Sequence, residues 1–163
     1  MRTSLVRPLH PVLLALLLFV VAAAPSWADG PELVAADADR VAIQGYDTVA
    51  YFTDGKALKG SGEYEYAWGD AAWWFASAAH RDMFAADPDR YMPQFGGFCA
   101  GAVVEGVLVR ANPEAWTIVA GKLYMIAGTP EDIAAWRNRA TENIEQADKQ
   151  WPTVQGRAAA QNK

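Results

Sequence analysis

The sequence predicts an α+β fold: a small single domain with two short antiparallel hairpins packed against several helices, the last of them long and amphipathic. Three observations predict it. Residues 63–75 and 116–126 each hold two short runs rich in aromatic or β-branched side chains, separated by a glycine-containing turn. Residues 129–151 repeat apolar side chains at intervals of three or four behind a capping sequence. The chain has 163 residues, 52% hydrophobic and 20% charged, which suits one core and is too apolar for a disordered segment.

The elements follow in order. Residues 29–40 (DGPELVAADADR) read as a loosely ordered lead-in. Residues 41–52 are interrupted at Gly45, after which Asp47 can N-cap a short helix holding Val49, Ala50 and Phe52. Asp54, Gly55 and Gly60 mark residues 53–62 as a loop. Residues 63–68 (EYEYAW) alternate acid and aromatic at their start, Gly69-Asp70 turns the chain, and residues 72–75 (AWWF) return. Ser77 caps a helix that runs to Ala86, and Pro88 takes the first position of a short turn ending at Tyr91. The glycine-rich residues 95–101 (FGGFCAG) lead into a helical stretch at 102–104. Residues 116–120 and 123–126 form the second hairpin around Gly121-Lys122. Thr129, Pro130 and Asp132 then open the final helix, in which Ile133, Trp136, Ala140, Ile144, Ala147 and Trp151 form one apolar face. Pro152 is expected to stop it, leaving residues 153–163 as a frayed tail.

Composition narrows the function classes. Residues 1–28 have the order of a secretory signal: Arg2 and Arg7, an apolar run of 13 residues from Val12 to Ala24, then Ser26 and Ala28 at a small-x-small site. A helix spanning the bilayer needs about 20 residues, so the mature protein is not expected to be membrane-embedded. Cleavage after Ala28 would remove two of the 14 basic residues and none of the 19 acidic ones, moving the formal charge from −5 to −7. It would also leave His80 as the single His beside the single Cys, Cys99. The expected location is the periplasm or the exterior. Nucleic-acid binding is excluded by the missing basic footprint, and one Cys permits no intrachain disulfide. The chain lacks a nucleophile elbow, a phosphate loop and an HExxH pair, so no catalytic residue is assigned.

The ordered motifs GYDTVAYF (residues 45–52), YAWGDAAWWFASAAHRDMFAADPDRY (66–91) and PQFGGFCA (93–100) resemble those of the YHS domain. With Trp116 and the Gly121-Lys122-Leu123-Tyr124 run that follows, the chain is most similar to exported bacterial YHS-domain proteins, over residues 45–152. The resemblance implies a compact fold related to small heavy-metal-binding domains, without an established activity. It also implies metal donors at three positions, occupied here by Ala50, Ala76 and His80. Two of the three cannot donate.

Two site readings follow from the residues, with a third for the thiol. A non-standard soft-metal site would draw on Cys99, His80, Met83 and Met125. Thiolate, imidazole and thioether suit Cu(I), so copper is favoured over zinc. His80 and Met83 are three apart on one helix and can share a face. Against this stand a partly buried structural His80, an inert buried Cys99, and methionines that fill the core. The second reading is a metal-free module whose aromatic groove, drawn from Tyr46, Asp47, Tyr51, Trp73, Trp74 and Tyr91, engages a small ligand or a periplasmic protein. Adjacent Trp73 and Trp74 must point to opposite faces of a strand, so one of them can line such a groove. The third is a redox role for the Cys99 thiol.

Overall fold

Two antiparallel hairpins carry the helices in this computed structural model, which describes residues 33–161. The signal sequence proposed for residues 1–28, the start of the lead-in and the last two residues lie outside the described residues. A short helix α1 (Ala50–Thr53) precedes the hairpin β1 (Ser61–Trp68) and β2 (Ala71–Phe75). Helices α2 (Ala78–Ala86), α3 (Pro88–Tyr91) and α4 (Ala100–Val104) lead to the hairpin β3 (Asn112–Val119) and β4 (Lys122–Ile126). Helices α5 (Pro130–Arg137) and α6 (Ala140–Gln161) close the chain. The hairpins remain separate two-stranded sheets. Among the described residues no helix is long and apolar enough to cross a membrane.

The main core grows from the alternation in β2. Trp73 and Phe75 point inward and are buried, while Trp74 faces the other way. Their centre is Phe84 of α2, whose ring lies 5.0–6.1 Å from those of Tyr66, Trp68, Trp73 and Phe75. The α2 helix reaches that position because Ser77 caps it, its hydroxyl accepting the His80 N–H. Register pairs Tyr66 with Trp73 and Glu65 with Trp74, and the ladder shifts between Ser61 and Glu65.

Several boundaries differ from expectation. In the second hairpin the turn residues are Ala120 and Gly121, not Gly121 and Lys122; both have positive φ, 50° and 76°, as a two-residue turn matching strand twist requires. Lys122 therefore belongs to β4, paired with Val119. The single long C-terminal helix is two helices. Thr129 and Asp132 form the reciprocal cap of α5, and their hydrogen bonds hold the Asp132 carboxyl below its ordinary pKa. The chain then breaks before α6, where the Trp136 carbonyl accepts from both the Arg139 N–H and the Asn143 amide.

Pro152 does not stop α6. A proline inside a helix removes the donor for the carbonyl four residues back. Here tertiary contacts outweigh that loss: Ala147 and Val154 are buried on either side of it, and the Arg157 guanidinium donates to the Gly106 carbonyl. The expected frayed tail is thus helical to Gln161.

The lead-in is ordered over its described part. The Ala35 N–H donates to the Gly96 carbonyl at 2.8 Å, Ala36 bridges to Ala42, and Arg110 donates to the Ala36 carbonyl. Gly96 makes this possible, since a Cβ there would stand 2.1 Å from the Leu33 carbonyl oxygen. Gly96 belongs to a left-handed turn, Phe95-Gly96-Gly97, which meets a second one at Ile43-Gln44-Gly45. The side chain of Ile43 fills the space where a Gly97 Cβ would sit.

Candidate functional site

Asp47 organises the polar centre of the molecule. It follows the left-handed turn at Gly45 and precedes α1, so one carboxylate oxygen caps that helix: Oδ1 accepts the N–H of Val49 at 2.9 Å and of Ala50 at 3.2 Å. The other oxygen reaches across the fold. Oδ2 accepts the Ala76 N–H at 2.8 Å, just past β2, and lies 2.7 Å from His80 Nδ1 on α2. Asp47 is 0% exposed, so its charge is stabilised by these bonds rather than by water.

This network fixes the His80 tautomer. Both Asp47 oxygens already accept from backbone N–H groups, so the proton in the 2.7 Å contact is assigned to His80 Nδ1. The Nε2 lone pair is then directed away from Asp47, toward Thr53 Oγ1 at 3.4 Å. Thr53 has alternative acceptors in the Val49 carbonyl at 3.2 Å and Asp54 Oδ1 at 3.1 Å. The His80 side chain is 16% exposed and Thr53 lies at the surface, so Nε2 borders solvent. An imidazole held this way can accept a hydrogen bond, take a proton, or donate its lone pair to a metal.

The three positions at which the family resemblance implies metal donors converge here. Ala50, Ala76 and His80 all bond the Asp47 carboxylate, the first two through their backbones. Of their side chains only the imidazole can coordinate an ion. Among the described residues no group of three or more His, Cys, Asp or Glu side chains could hold a metal ion. The residues present do not fit a three-donor site.

The other residues considered for soft-metal binding lie elsewhere. Cys99 is 7% exposed and packs with Ala115, Ile126 and Ile133. It is the N-cap of α4, with Sγ accepting the Ala102 N–H at 3.4 Å, and it shares none of these partners with His80. Met125 is buried in the main core, among Leu123, Tyr51 and the aromatic rings. Met83, one turn after His80, is 36% exposed. The set Cys99, His80, Met83 and Met125 is therefore distributed over different surroundings, because Cys99 and Met125 serve apolar packing.

The expected aromatic groove is corrected in the same way. Tyr51, Trp73 and Tyr91 are core residues, out of reach of a ligand. The Tyr51 hydroxyl donates to the Pro113 carbonyl at 2.9 Å and its ring meets Trp116 edge-on, and burial drives its pKa far upward. Trp73 Nε1 donates to the Trp68 carbonyl, and Tyr91 packs on Phe52. Half-buried Trp74 lies over Gly45 and Gly62 and donates to Glu65. Tyr46, also half-buried, is occupied by Glu114 and by the Lys59 ammonium 4.2 Å from its ring centroid. Burial and the nearby Glu114 charge raise the Tyr46 pKa.

Sequence reasoning missed Thr53. It sits in the last position of α1 and reaches His80 only through the fold. Beside Asp47, Thr48 is also buried, with an Oγ1 that has no hydrogen-bond partner. No family model, curated protein or solved structure matches the chain.

Proposed function

We propose that this chain is an exported binding domain of the YHS type that works without a resident metal, with the His80 imidazole as its ligand-contacting group. One observation carries the reading: a fully buried Asp47 lies 2.7 Å from His80 Nδ1 and leaves Nε2 at the surface, while Ala50 and Ala76 supply no further donors. A carboxylate–imidazole pair at the edge of solvent suits recognition of a hydrogen-bond donor by Nε2, with the Thr53 hydroxyl beside it. No catalytic residue is assigned: among the described residues the nearest hydroxyl to Nε2 is that of Thr53, at 3.4 Å.

The test is metal analysis of protein purified from the export compartment, combined with histidine 15N NMR. The expected result is less than one metal per chain after dialysis, and a proton held on His80 Nδ1 by the Asp47 carboxylate. One retained equivalent of copper or zinc, lost in His80→Ala, would overturn the reading. A second reading, weak copper binding, is favoured by Met83, which is exposed one turn beyond His80. Cu(I) competition with His80→Ala and Met83→Leu variants decides it: loss of affinity in both supports copper at this face.

A further inference from the structure

A cleft separate from His80 lies between the left-handed turn at Phe95-Gly96 and helix α6, with a volume of about 340 Å³. Its apolar lining includes Phe95, Met92 and Trp151, with the Phe95 and Trp151 rings packed edge-on at 5.6 Å. Three charged side chains from three elements stand round this lining: Asp89 on α3, Lys122 on β4 and Asp148 on α6. Among the described residues none of the three forms a hydrogen bond or ion pair through its side chain. Asp148 nevertheless acts on its surroundings, since its charge joins burial in raising the Tyr124 pKa.

We propose that this cleft binds a small zwitterion, a free α-amino acid with an apolar side chain. Opposite charges round an apolar surface match a ligand that carries both signs next to a hydrocarbon body. An amine alone would meet Lys122, and a carboxylate alone would meet Asp89 and Asp148. In a zwitterion the carboxylate faces Lys122, the ammonium faces the aspartates, and the side chain covers Trp151. The volume is near the lower end for small-molecule sites, which run from about 300 Å³ upward, and so suits an amino acid better than a large cofactor.

The probe is L-leucine, titrated into the purified chain by calorimetry and by tryptophan fluorescence. Isoamylamine and 4-methylpentanoate, which each lack one charge, serve as controls. Saturable binding of leucine is expected, with neither control competing at equal concentration. Lys122→Met and Asp148→Asn, both surface substitutions, should each weaken binding about tenfold, the loss of one charge-assisted contact. Trp151→Leu should abolish the fluorescence response. His80→Ala should leave leucine binding unchanged, which separates this site from the one proposed above. No saturable response to leucine, equal binding of the amine alone, or unchanged affinity in Lys122→Met would overturn the proposal.

Discussion

His80 and Cys99 are each the single residue of their type in the described chain, and they occupy opposite kinds of surroundings. His80 meets a buried carboxylate on one nitrogen and the protein surface on the other. Cys99 meets Ala115, Ile126 and Ile133, and its sulfur accepts one backbone N–H of its own helix. Both are capable of metal and acid–base chemistry by residue type. The contrast teaches that neighbours decide availability: Asp47 orients a lone pair outward, whereas an apolar pocket uses sulfur as filling.

The comparison is broken most directly at Asp47. Asp47→Ala leaves the buried N–H groups of Val49 and Ala50, and the partly buried N–H of Ala76, without their acceptor and should cost about 3 kcal/mol or more, read as a lower urea midpoint. An unchanged midpoint would mean that the carboxylate does not organise this region. Asp47→Asn should unfold less readily than the alanine variant, and histidine NMR should show His80 no longer held as one tautomer.

Tyr51 gives the next effect, through pH. Its folded pKa lies above the ordinary 10.0 because burial disfavours the phenolate. The neutral phenol therefore contributes stability below pH 10, and this is lost as pH rises above 10 toward the folded value. Tyr51→Phe should cost about 1 kcal/mol at neutral pH, by removing the bond to the Pro113 carbonyl, and should flatten the alkaline limb of the stability curve. A limb unchanged by the substitution would place the alkaline sensitivity elsewhere.

Cys99 sharpens the other side of the comparison. Its thiol should react slowly with a maleimide in the folded state and fast in denaturant, and Cys99→Ala should cost about 1 kcal/mol while leaving the His80 NMR signals in place. Fast labelling of the folded chain would instead support a redox role. Smallest is Thr48→Val, which replaces an unpartnered buried hydroxyl by a methyl of similar size and should raise stability by up to about 1 kcal/mol in the same urea measurement.

Much of the fold was legible where local chemistry dominates. Ser77 and Thr129 were readable as caps because a short side chain before a helix satisfies its free N–H groups locally. The Trp73–Trp74 alternation likewise placed one ring inside and the other outside. Reading Pro152 as a stop failed because the proline rule describes an isolated helix, and Ala147, Val154 and Arg157 tie both sides of α6 to the domain. At the site, the cap from Asp47 to α1 was legible, but its second oxygen was not, since Ala76 and His80 approach it from about thirty residues away in the chain.

By itself, then, the sequence determined the succession of hairpins and helices, the caps, and which donor side chains exist, since these depend on residue identity and on neighbours within a few positions. Tertiary structure alone decided that Ala50, Ala76 and His80 gather on one carboxylate, that Cys99 and Met125 are used for packing, and that Asp89, Lys122 and Asp148 surround one cleft. The physical reason is range. Caps and turns are settled by hydrogen bonds a few residues long, whereas a site requires chain segments far apart to be brought to the same few ångströms by burial of their apolar faces.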